Sequence, residues 1–200
     1  MKTFSLLIAT TGLIMTSFVT HATIFTMGSP AVNPANGHTY YLLSADTWNN
    51  SEAFAQTLGG NLVTINDAAE NQWVFNTFFP MISISGDPAL WIGLSDPTLN
   101  DGSGSQHAAD FVWADGESAT YRNWVSGEPN NAGGVEYYAA MRSPFDTLPG
   151  TWNDLSNTGG GAAGNVFGVV EVVPEPQAYA CLLLGVGTFI ISRRKAVATR

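Results

Sequence analysis

Apolar positions in the first half of the chain predict two short helices. Small and apolar residues recur at helical spacing from Trp48 to Leu58, and Gly59–Gly60 ends the pattern. Asp67, followed three residues later by Glu70, is typical of a capping box. This pair predicts the start of a second helix, whose apolar pattern continues up to Pro80.

The other apolar runs of this region and of the second half are short and predict strands. They are rich in β-branched and aromatic side chains and are separated by turn-forming residues. The predicted strands are 39–43, 62–65, 90–94, 111–113, 135–141, 152–155 and 166–173. Two early helices followed by strands indicate an α+β fold. Residues 23–36 show no period, so an irregular N-terminal segment is expected there.

Residues 1–22 have the features of a secretory signal peptide. Lys2 precedes an apolar run from Phe4 to Val19, and small residues follow at Thr20 and Ala22. Cleavage after Ala22 would export the rest of the chain. An uncleaved membrane helix is the alternative, which the short run disfavours because a bilayer needs about 20 apolar residues.

Residues 173–200 combine three features in a fixed order. Pro174-Glu175-Pro176 is followed by an apolar segment at 178–192, where a helix is expected, and by a basic tail at 193–200. This order resembles the PEP-CTERM sorting signal of Gram-negative bacteria. The resemblance implies processing by an exosortase, at least transient anchoring in the inner membrane, and delivery to the cell surface or the exopolysaccharide matrix. An unprocessed single-pass membrane protein is the alternative.

Charge and cysteine content exclude several classes of function. Arg122 and Arg142 are the only Lys or Arg residues between positions 23 and 176, a stretch that holds all 16 carboxylates of the chain. Such a surface repels phosphate, so nucleic-acid binding is excluded. Cys181 is the only cysteine, which excludes an intrachain disulfide, a zinc finger built on cysteine and thiol catalysis.

Carboxylate and amide side chains are concentrated at residues 111–154, a stretch with no thiol or histidine. Ca²⁺ takes about six to eight oxygen ligands, whereas Zn²⁺ and Cu²⁺ favour nitrogen and sulfur, so calcium is the expected ion. If Glu128, Glu136 and Asp154 converge, two carboxylates about 5 Å apart repel by roughly 3 kcal/mol at an effective dielectric of 20. A cation would remove this repulsion. A cis bond before Pro129 would direct the side chains of Glu128 and Asn130 toward one point.

Three motifs resemble those of the C-type lectin-like domain. Leu90-Trp91-Ile92-Gly93-Leu94 resembles the central strand of that family, Gly127-Glu128-Pro129-Asn130 its sugar-binding loop, and Trp152-Asn153-Asp154 the strand that completes the site. The resemblance covers residues 37–172. It implies a double-loop α+β fold, with two helices packed on short antiparallel sheets and a long ligand-binding loop.

The resemblance also implies a calcium site that binds sugar. The implied calcium ligands are Glu128, Asn130, Glu136, Asn153 and Asp154. The first four of these would also bind two vicinal sugar hydroxyls, which complete the coordination shell of the ion. In the family, Glu-Pro-Asn goes with mannose- or glucose-type sugars. Asp96 matches one ligand of a second calcium site, although Tyr137 stands where that site has another acid.

The chain departs from the family at its cysteines. Ala55, Tyr138, Asn157 and Val170 stand where the family has four cysteines, so the fold is expected to form without disulfides. Stability must then come from the apolar core. Its expected members are Trp48, Leu62, Ile65, Trp91, Phe111 and Trp113.

These observations predict a calcium-dependent carbohydrate-binding protein at the cell surface or in the exopolysaccharide matrix. Its expected partners are carbohydrate or exopolysaccharide, signal peptidase and exosortase. A structural or adhesive protein that uses the same fold for protein contacts is the alternative. An enzyme is not expected, because a glycosidase needs one protonated carboxyl group whereas calcium needs every ligand ionised. For Glu136, an outward-facing position on a strand is a second interpretation. Trp91, Trp113 and Trp152 are expected in the core rather than as platforms for sugar rings.

Overall fold

The computed structural model describes residues 23–84, 86–98, 108–159 and 165–174. Two helices, α1 (Trp48–Thr57) and α2 (Ala68–Phe78), precede most of the sheet, and short 3-10 turns lie at Phe79–Met81 and Ala132–Gly134. The strands are β1 (Thr26–Val32), β2 (Thr39–Ala45), β3 (Asn61–Leu62), β4 (Ala89–Ser95), β5 (Val112–Trp113), β6 (Tyr138–Met141), β7 (Trp152–Leu155) and β8 (Val166–Val172). The predicted α+β class is confirmed.

Both ends of the chain lie outside the described ranges. The signal peptide at 1–22 and the sorting signal beyond Pro174, including its apolar segment and basic tail, therefore stay predictions, as do the domain boundaries that depend on them. In the ranges that are described, no helix is long and apolar enough to cross a membrane.

Both helices begin after a capping residue. Thr47 precedes α1 and its hydroxyl accepts a hydrogen bond from the backbone N–H of Asn50 at 3.2 Å. Asp67 precedes α2, as predicted, and accepts one from Glu70 N at 2.8 Å. The Glu70 carboxylate returns to the N–H of Asn66, at 2.8 Å, rather than to that of the cap residue. Each helix thus satisfies backbone donors that would otherwise lack a partner.

The strands form one mixed sheet in the order β1-β2-β8-β4-β6-β7, with β3 paired to β8 and β5 paired to β4. β4 and β8 run parallel, and the other pairs are antiparallel. The expected antiparallel pairing is confirmed for six of the seven strand pairs among the described residues, and the parallel pair of β4 and β8 is the exception. A parallel pair needs a long crossover, and the 70 residues between Ser95 and Val166 supply it.

The prediction of an irregular segment at residues 23–36 is wrong for residues 26–32, which form strand β1. This strand lies at the edge of the sheet and pairs antiparallel with β2, with a register irregularity between Met27 and Ala31. Gly28 has a φ of 68° and Pro30 follows it inside this irregularity. Most β1 side chains are exposed. Because this strand forms by backbone pairing and buries few side chains, the sequence shows no alternation of apolar and polar residues there.

All six residues expected in the core are buried. Trp91 and Trp152 are completely inaccessible to solvent, and Trp113 is 3% exposed, which confirms that these rings are core residues and not sugar platforms. At Gly93 of β4, an added Cβ would lie 2.3 Å from the carbonyl oxygen of Leu62. The absence of a side chain at Gly93 therefore allows β4 to pack closely against the backbone of β3 at Leu62.

The residues that stand where the family has cysteines make other contacts. Ala55 of α1 and Val170 of β8 are both fully buried in one apolar cluster. The Tyr138 ring lies 4.9 Å from the ring of Trp48. Asn157 accepts from Trp48 N at 3.1 Å through its backbone carbonyl, and from the next N–H of α1 through its side chain. Packing and helix capping thus hold the four segments in which the family has cysteines.

A polar cluster also lies within the fold. The hydroxyl oxygen of Tyr40 lies 2.5 Å from Glu70 Oε1 and 2.8 Å from Glu171 Oε1. Glu171 Oε1 lies 2.6 Å from Nδ1 of the half-buried His38. Burial raises the pKa of Glu171, and burial also raises the pKa of Tyr40. This cluster ties β2 and β8 to the start of α2.

Candidate calcium and sugar site

The candidate site lies where a long loop meets the β6–β7 hairpin. In the hairpin, Ala139 is opposite Asp154 and Ala140 is opposite Asn153. The loop is held alongside β7 because Val125 N donates to the carbonyl oxygen of Trp152 at 3.0 Å. Residues distant in sequence are therefore brought to one edge of the sheet.

Asp154 anchors the loop. Its side chain is fully buried, and its Oδ1 and Oδ2 accept hydrogen bonds from Asn130 N at 3.1 Å and Asn131 N at 2.8 Å. The peptide bond between Glu128 and Pro129 is cis. The two hydrogen bonds to Asp154 hold the segment that carries Glu128 and Asn130 next to β7.

Glu136 is held by the same loop. Its Oε2 accepts from Ala132 N at 3.0 Å, and its own N–H donates to Asn131 Oδ1 at 2.9 Å. Strand β6 begins only at Tyr138, so the predicted strand start at Val135 is wrong. Side-chain bonds to the loop compete with strand pairing there. Glu136 is half-buried and bonds to the loop, which is not the outward-facing strand position of the second interpretation.

The three carboxylates influence one another. The pKa of Glu128 is raised to about 7, first by burial, then by the neighbouring side chain and charge of Asp154, and then by the charge of Glu136. The charge of Arg142 acts in the opposite direction. Burial and the charge of Asp154 raise the pKa of Glu136, although its bond from Ala132 N lowers it. The region therefore favours added positive charge.

One atom of this cluster lacks a partner. Glu128 Oε2 is buried and makes no hydrogen bond. A buried carboxylate oxygen without a donor or a cation is costly, and so it indicates a ligand. The carboxylate oxygens of Asp154 and Glu136 that accept N–H bonds keep a second lone pair. The donor set is therefore chemically suited to a hard cation such as calcium.

The carboxylates alone do not make a complete metal site. Within the described ranges, no three His, Cys, Asp or Glu side chains are grouped so as to hold a metal ion. Asn130 is exposed beside this cluster, and Asn153 is half-buried on β7. The amide oxygens of these two residues would have to contribute to any coordination shell.

Asp96 follows β4 and is almost completely buried. Its Oδ1 accepts from Thr98 N at 2.8 Å and from the Thr98 hydroxyl at 2.6 Å. These contacts form a local turn. The second calcium site at Asp96 stays a prediction.

Sequence reasoning missed a polar cleft that adjoins Glu128 and Asn153. The cleft has a volume of about 340 Å³. Its other polar lining residues are Asp87, Arg142, Ser143 and Asp146. The only signal in the sequence is the rarity of arginine in this acidic stretch. No motif joins Arg142 to Asp87, since these residues meet only through the fold.

Comparison with known proteins identifies a family for this chain. The family described as Lectin C-type domain matches residues 44–158. The snaclec salmorin of Gloydius brevicauda has a chain that is 33% identical over 123 residues, which are 55% of this chain and 75% of that one. A C-type lectin mannose-binding isoform of Notechis scutatus scutatus is 29% identical over 124 residues, covering 60% of this chain and 71% of that protein.

A solved structure shows the same relationship. The crystal structure of the C-type lectin CEL-I from Cucumaria echinata is 31% identical and superposes with a TM-score of 0.53, over 69% of this chain and 91% of that one. The Notechis and Cucumaria proteins are named as lectins, so carbohydrate binding is supported at the level of the family, and the expectation that the chain is not an enzyme agrees with these relatives. Its match over more than half of its length shows that the chain belongs to the C-type lectin domain family.

Proposed function

We propose that this protein is an exported, calcium-dependent lectin for mannose- or glucose-type sugars. The proposed calcium ligands are Glu128, Asn130, Glu136, Asn153 and Asp154. The observation that carries the proposal is the buried Glu128 Oε2, which has no hydrogen-bond partner and lies in a cluster of mutually repelling carboxylates.

The residues have different tasks in this proposal. Asp154 positions the loop through its two backbone N–H bonds. Glu128 and Glu136 supply carboxylate acceptors for hydroxyl protons, and the side chains of Asn130 and Asn153 supply N–H donors for hydroxyl oxygens. Bound calcium would neutralise the carboxylates and accept lone pairs from two sugar hydroxyls.

The sugar class rests on two indications. Glu128-Pro129-Asn130 matches the family motif for sugars whose two neighbouring hydroxyls are both equatorial. In addition, the Notechis relative is named as mannose-binding. Both indications favour mannose or glucose over galactose.

Export and surface delivery are proposed from the two ends of the sequence. The signal peptide at 1–22 would direct translocation, and the PEP-CTERM-like tail at 173–200 would be read by an exosortase at the membrane. The lectin would then act at the cell surface or in the exopolysaccharide matrix. Cell fractionation with and without the residues from 173 onward tests this part, since retention of the truncated protein at the surface would contradict it.

Calorimetric titration of the protein with calcium, followed by a glycan array in the same buffer, tests the binding function. We expect saturable calcium binding and array signals on terminal mannose or glucose that EDTA removes. Mannose binding that persists in EDTA would reject the calcium dependence. Calcium binding without any glycan signal would reject the lectin function.

A second candidate function, adhesion through protein contacts, is favoured by one surface feature. Phe145 is 77% exposed and lines an apolar groove of about 350 Å³ together with Phe79 and Ile84. Exposed apolar surface of this kind is typical of protein interfaces. Loss of cell adhesion in Phe145→Ser, with glycan binding unchanged, would favour this candidate.

A further inference from the structure

We propose that the polar cleft next to the candidate calcium site binds a second, uncharged sugar unit, so that the protein recognises a neutral oligosaccharide and not a single sugar. This inference rests on the proposed function, because it places the first sugar unit at Glu128 and Asn153.

The cleft is continuous with the proposed sugar site. Glu128 and Asn153 belong to both, so a glycan bound there has the cleft as its neighbour. The volume of about 340 Å³ lies within the range of about 300–1,000 Å³ that small-ligand sites have. A ligand that fills only the calcium site would leave this space to water.

Arg142 offers the cleft a positioned donor. Its Nε and Nη2 donate to the two carboxylate oxygens of Asp146, at 2.8 and 2.6 Å. The side chains are 26% and 16% exposed, so the pair is partly shielded from water. This bidentate bond orients the guanidinium, while Nη1 has no partner among the described residues. A sugar oxygen could accept from Nη1 with little ordering cost, because the donor is already fixed.

Apolar side chains complete the cleft on the sheet side. Ala89 of β4, Ala140 of β6, Leu155 of β7 and Val166 of β8 line this part. A pyranose ring has hydroxyls at its rim and C–H groups on its faces. Polar groups at the edge and small apolar groups at the floor are therefore the lining that such a ring needs.

Charge selects the class of sugar. Apart from Glu128, which the proposed calcium ion would neutralise, the lining has two carboxylates, those of Asp87 and Asp146, against the single guanidinium of Arg142. Asp146 already neutralises Arg142, and Asp87 accepts a hydrogen bond from the Ser143 hydroxyl. An acidic sugar would therefore meet an excess of negative charge. This excess favours a neutral unit over a uronic acid.

Isothermal titration calorimetry in calcium tests the proposal with three probes: methyl α-mannoside, linear α-mannotriose and a mannuronate trisaccharide. We expect the wild-type protein to bind mannotriose about tenfold more tightly than the monosaccharide, as one additional fixed donor can supply. Arg142→Lys keeps the charge but lacks the planar fork, so this advantage should fall to about twofold or less with monosaccharide affinity unchanged. Ala89→Leu, which narrows the cleft from its apolar side, should have the same effect.

Phe145→Ala is the matched control. Phe145 lies on the same loop as Arg142 but lines the neighbouring apolar groove, so its removal should leave the trisaccharide advantage intact. Equal monosaccharide and trisaccharide affinities in the wild type, an advantage that survives both cleft variants, or one that Phe145→Ala abolishes would overturn the inference. Tighter binding of the mannuronate probe would overturn the neutral class. Absence of monosaccharide binding would instead reject the proposed function itself.

Discussion

Replacement of Glu128 by glutamine provides the most direct test of the site electrostatics. Glutamine has nearly the same shape but no charge, so it removes the repulsion from Asp154 and Glu136. Without calcium, Glu128→Gln should therefore be more stable than the wild type once Glu128 is ionised. With saturating calcium the order should reverse, because the variant has lost a charged ligand.

The size and pH range of the effect follow from the pKa of Glu128, about 7 in the folded protein against an ordinary value of 4.5. Below pH 4.5 the group is protonated in the folded and unfolded states and affects neither. Between pH 4.5 and pH 7 the free energy of unfolding of the wild type falls as the pH rises, because the unfolded state releases the proton of Glu128 first. Above pH 7 this decrease is complete. The upper bound is about 3 kcal/mol. Because Glu128 is only partly buried, solvent screening reduces the expected difference to about 1 kcal/mol.

Thermal unfolding in EDTA measures this difference. A free energy of about 1 kcal/mol corresponds to a rise in Tm of about 2–4 °C for a domain of about 150–250 residues. We expect that rise near pH 8 and no difference near pH 4.5. Glu117→Gln, the same change at an exposed carboxylate, is the control and should leave Tm unchanged at both values. A glutamine variant that is equally or less stable near pH 8 without calcium would refute the reasoning.

Three further variants test the calcium ligands, the sugar class and the buried polar cluster. Asp154→Ala removes the acceptor of two loop N–H bonds and should abolish calcium-dependent retention on a mannose column; unchanged retention would reject the ligand set. Changing Glu128 to Gln together with Asn130 to Asp should shift glycan-array preference from mannose toward galactose, and an unaltered array profile would leave the sugar class unsupported. Tyr40→Phe removes the hydroxyl between two buried carboxylates and should lower the free energy of unfolding by about 1–3 kcal/mol in urea titrations. A loss below about 0.5 kcal/mol would show that water replaces this hydroxyl.

Local patterns predicted the elements whose side chains enter the core. The start of α1 at Trp48, the cap at Asp67, the buried ring of Trp91 and the strand at 152–155 all have signals within a few residues of sequence. Such signals suffice because helix caps and alternating burial are properties of a single segment. The lectin family could be inferred for the same reason, since its motifs are short and contiguous.

Features that depend on distant segments could not be predicted in this way. Strand β1 is an exposed edge that forms by backbone pairing with β2, and backbone hydrogen bonds carry no side-chain signature. His38 had no motif around it, yet it meets Glu171 from 133 residues away.

The candidate site combines both kinds of information. The sequence alone predicts which oxygen-bearing residues form the site and their order, because the chemistry of calcium and of sugar hydroxyls requires those groups. The folded molecule alone revealed that Asp154 holds the loop, that Glu128 Oε2 lacks a partner and that Arg142 borders the same space. Burial and electrostatic repulsion act through space, so they depend on which distant segments the fold brings together.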